Sequence, residues 1–290
     1  MSWLTALRLA RVSNLPTVWT NVLAGVALAG GEPWSSRTLV LIAALSLFYS
    51  GGMFLNDAFD HVVDARERPQ RPIPAGAAGL EDVFAGGFAM LLTGVALVFL
   101  ASAGFVPGTG WQGPFAGVGL SGAILFYDWN HKGNRLSPLF MALCRSLAYL
   151  TAGLAAAMPA SNNLWIVALI GGCHIVGLTY VARQENLTQL ENLWPLTLLA
   201  VPLAYGLWLA TRTTLGAILW LALCACVVLA LRWLCRRGPG DVKRAIVTLI
   251  AAVALLDGLF LAAAGWSMAS LLAAAAFGVT LLLQRVVPGT

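Results

Sequence analysis

Long apolar stretches separated by short polar connections fill almost the whole chain. They run over residues 12–30, 38–58, 81–104, 114–130, 137–158, 163–182, 193–211, 214–234, 244–264 and 267–286. A helix needs about 20 apolar residues to cross the hydrocarbon core of a bilayer. Inside lipid no water satisfies the backbone, so helices are the economical way to cross. Frequent Gly, Ala and Ser within the stretches suit close helix packing. The pattern predicts an all-α, polytopic membrane helix bundle of nine to ten transmembrane helices, forming a single domain over residues 1–290. The last two stretches also fit re-entrant or interfacial segments. Residues 12–30 lack a small-residue cleavage signature and read as a retained helix, not a signal peptide.

Composition supports this solvent assignment. Of 290 residues, 59% are hydrophobic and 10% charged, against about 25% charged in a soluble domain. Mean hydropathy is +0.82. Such a chain has too few charges to cover a water-facing surface. The net charge of +5 marks topology; no nucleic acid partner is implied. Fourteen of the 17 basic residues fall on one side of the predicted helices, Arg8, Arg11, Arg66, Lys132, Arg135 and Arg232 among them. By the positive-inside rule that side is cytoplasmic, with both termini inside. An integral membrane protein results, of the inner or plasma membrane if bacterial. The five cysteines lie in or at the end of apolar runs, form no CxxC pair, and read as packing residues without a disulfide framework.

Acidic residues are scarce, which makes their placement informative. Asn56, Asp57, Asp60 and Asp64 close the second apolar stretch. At about 100° per residue they fall within an arc of about 100°, on one helix face. Three carboxylates there repel one another and raise each other's pKa. A divalent cation removes that cost, and hard oxygen ligands suit Mg²⁺ held together with substrate phosphates. The next segment holds Arg66, Arg68 and Arg71 among Pro69, Pro72 and Pro74. Proline stiffens the loop and prevents a continuing helix. Arginines beside an acidic, metal-binding face make sense if a polyanion sits between them, because guanidinium groups grip phosphate in pairs of hydrogen bonds.

The run Asn56-Asp57-x-x-Asp60-x-x-x-Asp64, followed by Arg68-Pro69-x-Arg71-Pro72-Ile73-Pro74-x-Gly76, resembles the first signature of the UbiA superfamily of intramembrane prenyltransferases. Leu15-Pro16-Thr17 with Asn21, and Tyr127 with Lys132, are similar to the family's opening helix and its loop after the fourth helix. The resemblance implies a bundle with a central cavity capped on the cytoplasmic side. It implies Mg²⁺-dependent ionisation of an isoprenyl diphosphate, then attack on the allylic cation by an acceptor, aromatic or polar. Asn56, Asp57, Asp60 and Asp64 would then serve as metal ligands. Lys132, Arg68, Arg71 and Arg183 would neutralise the leaving group, and Asn21 and Tyr127 would face substrate. The family's second acidic motif has paired aspartates; here residues 180–191 offer only Glu185 and Glu191. Glu185 is the candidate for a second Mg²⁺. The departure points to a divergent branch outside quinone pathways.

Three further positions are weighed on chemistry. Arg145 lies within an apolar stretch, where an ionisable residue is a substrate-site candidate. Asp257 is acidic inside another and is expected to pair with a neighbouring helix. His174 is expected to pack in the core. Competing functions are terpene cyclisation on the same fold, and glycosyl or phosphoribosyl transfer to a lipid phosphate. A transporter is disfavoured, because it would place ionisable groups near the midplane, and these acids sit at helix ends.

Overall fold

A computed structural model describes residues 1–183 and 194–287. Among them are twelve α-helices: α1 (Trp3–Leu9), α2 (Leu15–Ala29), α3 (Ser36–Phe59), α4 (His61–Glu67), α5 (Leu80–Ala103), α6 (Gln112–Asn130), α7 (Ser137–Ala156), α8 (Asn162–Arg183), α9 (Ala200–Ala210), α10 (Thr214–Arg236), α11 (Asp241–Ala263) and α12 (Ser267–Leu283). Short 3₁₀ turns over Val12–Asn14 and Trp194–Leu199 lead into α2 and α9. No strand occurs among the described residues.

Each of the ten apolar stretches coincides with a helix. The expected nine to ten membrane-spanning helices are not what length and composition give, however. Among the described residues six helices, α3, α5, α7, α8, α10 and α11, are long and apolar enough to cross. The 15 residues of α2 and the 17 of α12 fall short of the roughly 20 a straight crossing takes. The seven-residue α1 and α4 are additions that no apolar run signals.

Caps and prolines set the boundaries. Ser35 caps α3 by accepting from the Thr38 amide at 3.2 Å, and Thr213 caps α10 by accepting from Gly216 at 3.0 Å. Pro16 sits in the first turn of α2, where its missing N–H costs nothing. In lipid no hydrophobic force draws helices together, so close backbone approach does that work. Where α3 crosses α5, a Cβ on Gly51 would lie 2.9 Å from the Gly87 carbonyl oxygen, and one on Gly87 2.6 Å from Leu55. Only glycine admits the crossing.

Helix α2 lies at the centre, against α3, α7, α8, α11 and α12. Helix α11 is the most enclosed of the six apolar helices, 83% buried, whereas α5 is 28% buried. Leu92, Phe115, Ile218 and Leu221 point outward, as side chains bathed in lipid do. Leu23, Tyr149, Leu164, Leu261 and Ala269 join five helices in one core cluster. His174 is fully buried, its Nε2 3.0 Å from the Leu249 carbonyl oxygen. Asp257 pairs across helices as expected, with Tyr149 of α7 and Thr20 of α2. All five cysteines are free. Two surface hollows, of about 650 Å³ beside α10 and about 190 Å³ at the end of α5, are lined by none of the acidic residues; neither is the expected central cavity.

Candidate active site

The end of α3, helix α4, the end of α6 and the turn before α2 meet at one end of the bundle. The acidic run is not one straight helix: α3 stops at Phe59, Asp60 is its cap, and α4 starts at His61. Asp60 stays near helical backbone geometry, φ −79° and ψ −5°, so the predicted common face largely survives the break. Asp57, Asp60, Asp64 and Asn56 are all buried.

Each carboxylate is matched with a cation. Arg71 Nη1 donates to Asp57 Oδ1 at 2.8 Å and to Asp64 Oδ2 at 3.0 Å. The proline-framed loop makes this reach possible. Backbone bonds from Arg71 N to Arg68 O (3.0 Å) and from Ala75 N to Arg71 O (2.9 Å) fold it back. Gly76, at φ +72°, closes it in the left-handed region. Asp60 turns toward α6, where Lys132 Nζ is 3.2 Å and His131 Nε2 3.4 Å from its Oδ2. Burial acts to raise the Asp60 pKa, yet the His131 hydrogen bond and the charges of His131 and Lys132 outweigh it. The carboxyl is held below its ordinary range. For Asp64 burial wins over the opposing Arg71 charge, and the pKa lies above the ordinary value.

Three participants had not been singled out for the site. Arg11 reaches in from the turn before α2, with Nη2 3.0 Å from Asp57 Oδ1 and 3.4 Å from Asn56 Oδ1. Asp128 is buried on α6; its Oδ1 accepts from Asn56 Nδ2 at 3.2 Å, and its Oδ2 is buried without a hydrogen-bond partner. His131 stacks on Tyr127, ring centroids 4.9 Å apart. Their sequence signals are slight: Arg11 reads as topology, and Asp128 and His131, four and one residues before Lys132, carry no motif of their own.

The remaining expected residues are distributed differently. Arg68 makes no side-chain hydrogen bond or ion pair among the described residues; its backbone closes the loop. Arg183 donates to the carbonyl oxygens of Asn134 (3.2 Å) and Arg135 (3.1 Å), bracing the α6–α7 loop and pairing with no acid of the site. Arg145 donates to Thr17 O at 3.2 Å, deeper in the bundle. Asn21 is buried on the same helix as Thr17, near the Tyr149 hydroxyl, neither of its amide atoms making a hydrogen bond of full geometry. Glu185 lies outside the described residues.

Oxygen donors of this kind suit a hard divalent cation. The cations beside Asp57, Asp60 and Asp64 compensate their charge, and Asp128 Oδ2 is left unmatched. Among the described residues no three His, Cys, Asp or Glu side chains converge closely enough to form a ready-made metal shell. The chain thus carries the donors, with Arg11, Arg71 and Lys132 as internal counter-ions.

An all-helical integral membrane protein with a buried, charge-dense site at one end is the class this architecture defines. The family model of UbiA prenyltransferases matches residues 17–244, and the chain belongs to that family. It is 28% identical over 227 residues to a digeranylgeranylglyceryl phosphate synthase of Methanopyrus kandleri, covering 71% of each chain. It is 32% identical to that of Thermococcus kodakarensis, over 27% of this chain and 28% of the relative. With the Sulfolobus acidocaldarius synthase the match, at 26% identity, spans 56% of each. The chain thus spans between about a quarter and just over half of these last two relatives. In fold it is similar to a UbiA homolog from Aeropyrum pernix (TM-score 0.65, 12% identity, 87% of this chain and 97% of that one). It is also similar to one from Archaeoglobus fulgidus bound to GPP and Mg²⁺ (TM-score 0.62, 13% identity, 91% and 99%).

Proposed function

We propose that this chain transfers a prenyl group from an isoprenyl diphosphate to an acceptor within the membrane, in a Mg²⁺-dependent reaction. The observation that carries the reading is the pairing of buried acids with cationic side chains, Arg71 on Asp57 and Asp64, Lys132 on Asp60. A metal–diphosphate complex presents both signs of charge, and this site offers a partner to each. Asn56, Asp57, Asp60 and Asp64 would hold Mg²⁺, with Asp128 close by and Glu185 as the candidate for a second ion. Bound Mg²⁺ neutralises the diphosphate oxygens.

The protein's own groups do the rest. Arg71, Lys132 and Arg11 stand where negative charge grows as the allylic C–O bond breaks and its electron pair leaves with the diphosphate. Tyr127, steadied by His131, faces the charge with its ring quadrupole. The apolar bundle holds the isoprenoid tail and keeps water from quenching the cation. An acceptor oxygen or ring carbon then forms the new bond and loses its proton. Relatives named for making digeranylgeranylglyceryl phosphate support a glyceryl phosphate-type hydroxyl over a quinone-pathway ring. The excess of basic residues at the acidic end supports a cytoplasm-facing site, in one domain.

Purified protein and Asp60→Ala would be given radiolabelled isoprenyl diphosphates of several lengths, with prenylated glyceryl phosphate, aromatic and cyclitol acceptors. Mg²⁺-dependent diphosphate release that Asp60→Ala abolishes is expected, and the labelled product names the acceptor. A labelled hydrocarbon formed without any acceptor would mean cyclisation. Folded protein that neither turns over nor binds diphosphate would overturn prenyl transfer.

A further inference from the structure

Arg11 holds an unusual backbone. At φ 43° and ψ 49° it lies in the left-handed region, which a side-chain-bearing residue occupies only when its surroundings over-determine it. Its guanidinium nonetheless has to meet Asp57, 46 residues away in the chain. Something must hold the turn. Directly after it, Asn14 N donates to the Arg11 carbonyl oxygen at 3.0 Å and closes the 3₁₀ turn. The Asn14 side chain is itself pinned from two sides. Its Nδ2 donates to the Tyr49 hydroxyl of α3 at 2.9 Å, and its Oδ1 accepts from Gln284 Nε2 at 2.7 Å. Gln284 caps α12 and sits 270 residues further along the chain. Asn14 and Gln284 are 6% and 8% exposed, so water offers neither a ready substitute.

We infer that Gln284 is a positioning residue: through Asn14 it fixes the strained turn that aims Arg11 at Asp57. The last helix thereby becomes part of the diphosphate site without touching it. The inference rests on the prenyl-transfer reading only for what Arg11 and Asp57 bind. The structural half stands on the hydrogen-bond chain Gln284, Asn14, Tyr49 and the backbone of Arg11. The buried polar contact gives the link its strength, since an amide left unmatched there loses more than a bond exposed to water.

The full chain in nanodiscs would be compared with Gln284→Met, which keeps length and removes the amide, with Tyr49→Phe, which removes the other pin, with Arg11→Ala, and with the Gln284→Met/Arg11→Ala double variant. Amide hydrogen exchange over residues 9–16 would be read without ligand, and Mg²⁺-dependent binding of inorganic diphosphate alongside it. Exchange at Asn14 should quicken about fivefold in either pin variant, with diphosphate affinity weakened by a similar factor, the scale of one neutral hydrogen bond. In the Arg11→Ala background Gln284→Met should weaken diphosphate binding no further. Unchanged exchange in Gln284→Met, or a full additional affinity loss in the double variant, would overturn the inference. Should Gln284→Met not fold, Gln284→Glu, which keeps the length and removes the donor to Asn14 Oδ1, decides it by the same exchange and affinity measures. Wild-type protein that binds no diphosphate would count against prenyl transfer, and the exchange result would still decide whether Gln284 sets the turn.

Discussion

Arg71 Nη1 bridges Asp57 on α3 and Asp64 on α4, 2.8 and 3.0 Å away, so one nitrogen spans the break between the two helices. The other guanidinium nitrogens of Arg71 make no hydrogen bond among the described residues, which leaves them to meet a ligand. Arg71→Lys can keep the ion pairs and lose the second nitrogen. The melting midpoint should stay within a few degrees of wild type, while KM for the isoprenyl diphosphate rises about tenfold or more, the scale of one charge-assisted hydrogen bond. Arg71→Met should raise KM further and lower the midpoint too, because Asp64 loses its only ion-pair partner among the described residues. Steady-state kinetics with a parallel melt separates the two effects.

Metal removal should separate function from folding. The acids are balanced internally by Arg11, Arg71 and Lys132, so the fold does not lean on a divalent ion to offset their repulsion. Exhaustive EDTA treatment should abolish turnover and move the melting midpoint by no more than a few degrees. Adding Mg²⁺ with diphosphate should raise the midpoint by mass action, since only the folded state binds them. A large fall in the midpoint on chelation alone would show that the counter-ions do not suffice.

The helical arithmetic made Asp57, Asp60 and Asp64 legible as a unit, because facing is a local property of spacing. Arg71 was legible for the same reason: its proline frame lies seven residues beyond Asp64. Arg11 and Asp128 were not, since their partners Asp57 and Asn56 are 46 and 72 residues distant and no local pattern encodes such a meeting. Arg183 shows what spacing alone does not encode. A basic residue at the correct end of a helix reads as phosphate-binding, and its Nη1 donates to the carbonyl oxygens of the α6–α7 loop. The apolar stretches located every long helix. The count of crossings is not confirmed by length and composition, because α2 and α12 are short and α6 ends in the polar run that builds the site.

Asp257 makes an inter-helix lock within the apolar core. Its Oδ2 accepts from Thr20 Oγ1 at 2.6 Å and its Oδ1 from the Tyr149 hydroxyl, tying α11 to α2 and α7. Asp257→Ala takes from the Tyr149 hydroxyl its carboxylate acceptor in a fully buried place, while Thr20 Oγ1 keeps its bond to the Thr17 carbonyl oxygen at 3.1 Å. The expected cost is about 2–4 kcal/mol of stability, while Asp257→Asn, which keeps one acceptor, should cost about 1 kcal/mol. Donor KM should change less than twofold in Asp257→Asn. Reversible unfolding in mixed detergent gives the first quantity. A tenfold KM change in that mild variant would move Asp257 from the frame into the site.

Asn21 presents the inverse case. It is 1% exposed, and neither its oxygen nor its nitrogen makes a hydrogen bond of full geometry, although the Tyr149 hydroxyl lies within its reach. Two poorly matched polar atoms are expensive in a bundle, and evolution has a simple remedy in leucine, of similar volume. Asn21→Leu should therefore raise stability, by about 1–3 kcal/mol. If Asn21 meets substrate, the same change should lower kcat/KM about tenfold or more, because the amide's hydrogen bonds are made only with substrate in place. Asn21→Asp, which keeps an acceptor but adds charge, should lose both stability and activity. A stabilised Asn21→Leu enzyme with undiminished kcat/KM would strip Asn21 of its substrate role and leave its poorly matched amide as a structural cost alone.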